Sequence, residues 1–225
     1  MRALIAPAAL TLVCAIPASA DPLLQKARAS TDADGPLYAY EVDYFDGDVR
    51  TVGKIDPGQP EGSRISVYSP DESEWDEDFR EMIESMDEGV DGDIFCDDFA
   101  AQIPDDAKRS GETEDGVRYA FTPLADADAD GMERKVMKRM TASAVLSKED
   151  GQVLSMQMSL PKPYKPSIVA KIETFTLDVS CARTPDGRTY LQDMQMKVSG
   201  SAMMQSFDQT VSRRITKLLE PVTRP

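Results

Sequence analysis

The feature that most constrains the fold is a strict alternation of apolar and polar residues between Met137 and Met204. A period of two places every second side chain on the same face of a β-strand. Turn signals at Asp150-Gly151, in the proline-rich stretch 161–166 and at Pro185-Asp186-Gly187 divide the region into strands. The pattern predicts an antiparallel sheet with one apolar face. The residues predicted to share that face are Met140, Ala142, Ala144, Leu146, Leu154, Met156, Met158, Leu160, Phe175, Leu177, Val179, Tyr190, Met194, Met196 and Val198.

Further strands are predicted at 37–45, 49–55, 64–68, 117–121 and 207–215, with a tight hairpin turn at Asp46-Gly47 joining the first two. Residues 22–29, capped by Asp21, are expected to form a short helix. A second helix is expected after Ser69, which would cap it, because the apolar residues that follow recur at helical spacing. Those residues are Trp75, Phe79, Met82, Ile83 and Met86. The resulting fold class is α+β, a long, curved, mostly antiparallel sheet forming an incomplete barrel with two helices packed on its concave face.

Residues 1–20 have the features of a secretory signal peptide. Arg2 precedes an apolar run, and the segment ends in small residues at Ala18-Ser19-Ala20. We predict cleavage before Asp21, which leaves residues 21–225 as a single α+β domain in the periplasm. One alternative is a membrane anchor, but the apolar run is shorter than the roughly 20 residues that cross a bilayer. The other is acylation of Cys14, which lacks a small residue directly before it.

The chain carries 25 basic residues, 40 acidic residues and no histidine, for a net charge of −15. Such a chain repels nucleic acid and anionic lipid headgroups, so we expect no nucleic-acid partner. No segment beyond the leader is apolar enough for an integral membrane protein. Without histidine, the commonest general base and a favoured zinc ligand are missing. No phosphate-binding loop or nucleophile elbow occurs either. These absences indicate a protein that is not an enzyme and uses no cofactor.

Two cysteines, Cys96 and Cys181, lie beyond the leader. An even number of cysteines in an exported chain predicts a disulfide, with two buried free thiols as the alternative.

Acidic residues are concentrated in two segments. Asp126, Asp128 and Asp130 resemble the start of a calcium-binding EF-hand loop. Met137 stands where the bidentate glutamate of such a loop would be, so a solvated acidic loop is the favoured interpretation. The other segment is the polar face of the helix at 75–86. That face either docks a basic protein of the cell envelope or keeps the protein soluble.

Methionine is frequent on the predicted apolar surfaces, and its flexible side chain suits ligands of variable shape. A ligand cavity is therefore one hypothesis, whereas a methionine-filled core is another and copper binding by thioethers a third. The predicted lining of the cavity consists of Trp75, Phe79, Met82, Met86, Met140, Met156, Met158, Phe175, Met194 and Met196.

The order of elements, the Gly-Lys-Ile-Asp-Pro stretch at 53–57 and the strand ending at Val198-Ser199-Gly200 resemble the periplasmic lipoprotein-carrier fold of the LolA/LolB type. The same fold occurs in a sensor domain that regulates a sigma factor. The resemblance implies an unclosed barrel that holds an acyl chain beneath its helices, with lipid or lipoprotein as partner. We therefore expect a soluble periplasmic carrier or sensor for an apolar ligand. The alternative is a non-enzymatic envelope module that docks a basic partner through its acidic helix.

Overall fold

The computed structural model describes residues 21–29, 35–125 and 129–223. The predicted signal peptide at 1–20 lies outside the described residues. Within them, antiparallel strands dominate and are accompanied by helices, in agreement with the predicted α+β class. The strands are β1 (Leu37–Phe45), β2 (Arg50–Ile55), β3 (Ile65–Ser69), β4 (Lys108–Glu112), β5 (Gly116–Phe121), β6 (Thr141–Ser147), β7 (Val153–Ser159), β8 (Tyr164–Ser167), β9 (Ala170–Arg183), β10 (Thr189–Ala202) and β11 (Gln205–Val222).

All eleven strands of the described chain belong to one open sheet. Its order is β3-β2-β1-β11-β10-β9-β7-β6-β5-β4, and β8 pairs with β9 beside this path. The first strand therefore pairs with the last, which places the two ends of the domain side by side. This arrangement depends on contacts that are distant in sequence. Phe45, for example, pairs with Ser212.

A β-bulge alters the predicted alternation in β7. The register shifts between Val145 and Leu146, so that Leu146 pairs with Val153. Val153 is fully buried as a result, whereas alternation alone had placed Leu154 on that face. An extra residue in one strand moves the side chains beyond it to the opposite face of the sheet, and this explains the difference.

The described residues contain the four helices α1 (Pro22–Ala29), α2 (Glu77–Glu88), α3 (Asp98–Ala101) and α4 (Gly131–Met137).

The start of the second predicted helix differs from the expectation. Ser69 does not cap it and is the last residue of β3. A short 3₁₀ turn follows, in which Asp71 and Glu74 form a capping box. Helix α2 then begins at Glu77, where the carboxylate of Asp76 accepts a hydrogen bond from the backbone N–H of Phe79 at 2.8 Å. The predicted cap was therefore wrong, and Asp71 and Asp76 provide the side-chain acceptors instead.

Four elements were not predicted, namely the helices α3 and α4 and the strands β4 and β8. Helix α4 lies between the predicted acidic loop and the predicted sheet, β8 begins within the predicted proline-rich turn, and β4 has no buried residue in its sequence KRSGE. Strand β4 pairs with β5, and the apolar residues of β5 provide the buried side chains at that edge of the sheet.

The buried residues form two clusters. The first joins Leu24 and Ala27 of α1 and Ala100 of α3 to the inner face of β5, β6, β7, β9 and β10. The second lies around Tyr40 on β1 and Ile215 on β11. Burial of apolar surface at these two centres stabilises the fold.

The predicted disulfide is present, with the sulfur atoms of Cys96 and Cys181 2.10 Å apart. It connects the segment directly before α3 to β9. The same segment pairs with β10 through its backbone, because the N–H of Leu191 donates to the carbonyl of Ile94 at 2.8 Å. Among the helices in the described ranges, none has the length and apolarity required to cross a bilayer.

Candidate ligand-binding surface

Backbone pairing defines which side chains stand next to each other across the sheet. One such row crosses six strands, from β11 through β10, β9, β7 and β6 to β5, and every residue in it is apolar. The row consists of Val211, Met196, Leu177, Met158, Ala142 and Phe121. The apolar face predicted from the alternation is thus continuous over most of the sheet.

The two ends of this row differ in burial. Met158, Ala142 and Phe121 are at most 9% exposed and belong to the first core cluster, where α1 and α3 contribute side chains. We call this part of the face the packed region. Toward β11 the side chains are only half-buried, although they are equally apolar. We call this second part the open strip, and it consists of Phe175, Leu177, Met194, Met196, Val198 and Val211. Three of them, Phe175, Leu177 and Met194, pack against the edge of the first core cluster.

The structure divides the predicted cavity residues among three places. Met156 and Met158 lie in the packed region, and Met140 is also buried. The open strip contains the predicted residues on β9 and β10, namely Phe175, Met194 and Met196.

The four predicted cavity residues near α2 lie elsewhere. Helix α2 contacts β3, at the end of the sheet beyond β2 and β1. There Phe79 is buried, and its ring meets that of Trp75 edge to face at 5.2 Å between centroids. Met82 and Met86 are half-buried on the same helix. Among the described residues, none of these four belongs to either core cluster.

An arginine marks one end of the open strip. Arg213 pairs across the sheet with Tyr44 on β1 and Met194 on β10. Its Nη2 donates a hydrogen bond to Tyr40 Oη at 2.8 Å, and its guanidinium lies 5.5 Å from the centre of that ring. Burial raises the pKa of Tyr40, and the charge of Arg213 opposes this effect. The strip therefore ends at a positive charge that the core holds in position.

A separate open groove of about 720 Å³ lies near the opposite end of the row. Phe121, Ala142 and Met137 provide apolar walls, and Lys108 and Lys138 lie at its rim. The groove also reaches Ala125, the last described residue before the gap at 126–128.

The predicted acidic sites take ordinary structural positions where they are described. Asp126 and Asp128 lie outside the described residues, while Asp130 caps α4 by accepting from the backbone N–H groups of Met132 and Glu133. The described ranges contain no group of three or more acidic or cysteine side chains suited to a metal ion.

On α2, Glu77, Glu81 and Glu84 are exposed. Asp87 is buried instead, and it accepts from the backbone N–H groups of Gly62 and Ile65. Docking of a basic partner at this helix remains a prediction.

Sequence reasoning missed Arg213 and the exposed apolar residues at the turns after β8 and β10. Arg213 stands between the apolar residues Val211 and Ile215 on the same face of β11. A charged residue at such a position could have been read as part of a site once the register of β11 was known. Met203-Met204, between two alternating segments, could have been read as an unusually apolar turn.

The chain matches no family model, no curated protein and no solved structure in the three comparisons made. The resemblance to lipoprotein carriers therefore stays a prediction.

Proposed function

We propose that this protein is a periplasmic carrier or sensor that binds an acyl-bearing ligand along the open strip. The observation that carries the proposal is the half-burial of six contiguous apolar side chains on a face that is otherwise closely packed. Contiguous apolar patches that stay partly open to solvent are candidate binding surfaces.

The dimensions of the strip suit an alkyl chain. Met194, Met196 and Val198 alternate along β10, and three such positions span about 13 Å at about 3.3 Å per residue. Each CH₂ group transferred from water to an apolar surface contributes about 0.8 kcal/mol, before the entropic cost of binding. Methionine adapts its shape to a flexible chain, so the same strip accommodates acyl groups of different lengths.

Arg213 provides the polar end of the proposed site. A guanidinium binds a carboxylate through paired N–H donors, and its geometry favours planar anions. With the anionic head at Arg213, the alkyl chain extends along Met194 and Met196 in the direction of Val198. The proposed ligand is therefore an anionic amphiphile such as a fatty acid.

The lipoprotein-carrier resemblance implies two helices on the concave face of an incomplete barrel, and in this proposal α1 and α3 take that place instead of α1 and α2. Support comes from their buried residues in the packed region, Leu24, Ala27 and Ala100. Helix α2 has a different role, since it contacts β3.

The proposal is tested by titrating the purified mature protein with a fluorescent fatty acid, together with native mass spectrometry for co-purified lipid. Met196→Glu is expected to weaken binding about tenfold or more, because it places an unpaired charge in the apolar strip. Gln195→Glu is the matched control, since this neighbour is exposed on the opposite face of the same strand. It should bind as the unchanged protein does.

Arg213→Gln tests the head group separately. It should weaken binding of the fatty acid but leave binding of its uncharged methyl ester unchanged. Arg214→Gln is the control, because Arg214 pairs with Asp193 on the outer face. A wild-type protein that is free of lipid after gentle purification and does not take up the probe would overturn the proposed function.

A further inference from the structure

Three strands of the sheet continue past their neighbours. Pairing of β1 with β11 stops at Ser212, whereas β11 continues with β10 as far as Gln205. Likewise, pairing of β7 with β9 stops at Thr176, and beyond it β9 pairs with β8. The extensions of β9, β10 and β11 form a narrow ribbon, and the extra seven residues of β11 make it about 20 Å long.

Two short turns lie next to each other at the end of this ribbon. One is Ile168-Val169 between β8 and β9, and the other is Met203-Met204 between β10 and β11. Ala170 pairs with Ala202, which brings the turns together. The backbone N–H of Met203 donates to the carbonyl of Val169 at 2.8 Å, joining one turn to the other. We call these four residues the apolar tip.

The side chains of the apolar tip are more exposed than apolar residues usually are in a folded domain. Ile168 and Met204 are fully exposed, Met203 is 78% exposed and Val169 is 60% exposed. The ring of Phe207 lies just behind them, directly over the backbone of Gly200. Apolar residues that are exposed singly are common, whereas a cluster of them marks an interaction site.

The turn chemistry also departs from the usual rule. Met203 and Met204 have φ values of +51° and +69°. Two-residue hairpin turns with positive φ strongly prefer asparagine and glycine, because a Cβ atom is disfavoured there. A departure from local preference without a packing gain is typical of functional positions.

The size and shape of the tip favour a bilayer over a protein partner. A stable protein interface buries about 800 Å² and about 20 to 30 residues on each side. The tip offers four residues and Phe207 at the end of a narrow ribbon, which suits insertion into the headgroup region of a membrane. The hydrogen bond between Met203 and Val169 satisfies backbone groups that would otherwise be unpaired in lipid.

The charge near the tip is opposite to that of the whole chain. Residues 161–174 and 199–208 contain Lys162, Lys165 and Lys171 against Glu173 and Asp208, whereas the chain has 25 basic and 40 acidic residues. Lys171 forms an ion pair with Glu173 at 2.7 Å, so Lys162 and Lys165 supply the positive charge. The nearest acidic residues of the body lie in the hairpin at Asp46, whose carbonyl accepts from Gln209 about 13 Å along β11 from Gln205. Salt screens charges beyond about 10 Å, so their effect at the tip is weakened.

From these observations we infer that the apolar tip inserts into the surface of a lipid bilayer, with Lys162 and Lys165 contacting anionic headgroups. The inference goes beyond ligand binding on the open strip and does not depend on it. It also modifies the expectation that the acidic chain is repelled by anionic headgroups, because the local positive charge at the tip governs the approach to the membrane.

Vesicle flotation of the mature protein tests the inference. The unchanged protein should float with vesicles of phosphatidylcholine mixed with phosphatidylglycerol, and less with phosphatidylcholine alone. Ile168→Asp combined with Met204→Asp should reduce flotation about tenfold or more, because the charges face the apolar part of the bilayer. Met132→Asp is the matched control, since Met132 is an exposed methionine on α4. It should float as before.

Lys162→Glu combined with Lys165→Glu should lower flotation on the anionic vesicles and reduce its salt dependence, whereas Lys135→Glu combined with Lys138→Glu on α4 should not. All of these substituted positions are exposed, and an unchanged thermal midpoint checks folding.

Two results would overturn the inference. One is failure of the unchanged protein to float with either vesicle. The other is concentration-dependent dimers in sedimentation velocity that disappear in the Ile168→Asp, Met204→Asp variant, which would assign the tip to a second copy of the chain. Uptake of the fluorescent fatty acid in solution should be normal in the tip variants, so failure here is distinguishable from failure of the proposed function.

Discussion

The packed region and the open strip contain similar residues on one face of one sheet. Met158 and Met196 even belong to the same cross-strand row, yet Met158 is buried and Met196 is partly exposed. The difference is made by the segments that lie over the sheet. Helices α1 and α3 contribute to the core over β5 to β7, and the disulfide and an ion pair of Asp21 attach those segments to the sheet.

This comparison shows that an apolar strand face has no fixed role of its own. The same chemistry is core where a helix covers it, and it is a candidate binding surface where the side chains stay partly exposed. Experiments that remove the covering segments or the side chains separate these two roles.

The largest effect is expected from removing the disulfide. Cys96→Ser combined with Cys181→Ser opens a loop with a sequence separation of 85 residues. The chain-entropy model assigns such a loop about 4 to 5 kcal/mol, so the free energy of unfolding should fall by roughly 3 to 5 kcal/mol. Urea unfolding of the variant and of the reduced wild type should agree. A loss below about 1 kcal/mol would show that the segment before α3 is held by packing alone.

A pair of matched truncations tests the two halves of the face directly. Met156→Ala should reduce stability by about 3 kcal/mol, because Met156 is fully buried and its removal leaves a cavity. Met196→Ala should cost less than about 1 kcal/mol, since half-buried side chains lose less contact. Chemical unfolding measures both. Equal losses would contradict the distinction between the packed region and the open strip.

The smallest effect concerns the attachment of α1. A hydrogen bond from Arg109 lowers the pKa of Asp21 to about 2. Because the folded pKa lies below the unfolded value of about 3.9, this contribution is present above about pH 4 and is lost as the pH falls toward 2. Arg109 is more than half exposed, so solvent screening limits the contribution to less than about 1 kcal/mol.

Asp21→Asn isolates that charge, because asparagine caps a helix as well as aspartate does. The variant should be slightly less stable than the wild type at pH 7 and equal to it near pH 2. Unfolding curves at both values check this. A difference that persists at pH 2 would assign the effect to the cap and not to the charge.

Much of the sheet was predictable because alternation is a local property. Strands β1, β2, β5 and β6 appear where the sequence placed them, and the hairpin at Asp46-Gly47 has the expected positive φ at Gly47. Strand β11 is longer than predicted, because pairing with β1 and β10 stabilises it where the sequence is only weakly apolar. Strand β4 was missed for the same reason.

The candidate site was only partly predictable. The methionines of β7 and β10 were assigned to one face correctly, but the sequence could not say which of them a helix would cover. It also suggested α2 as the cover, since α2 has the clearest apolar stripe. That stripe lies at β3, because the strand order places β3 at the far end of the sheet.

The sequence by itself determined the fold class, the pair of cysteines, the acidic character and most residues of the apolar face, with Leu154 and Tyr190 as exceptions. Each of these depends on composition or on a period of two, which the backbone imposes locally. Only the tertiary structure decided where that face is packed and where it is open. Burial depends on the register of β1 with β11, on the bulge at Val153 and on the placement of α1 and α3. The register of β1 with β11 and the placement of the helices are contacts between distant residues, and no local pattern encodes them.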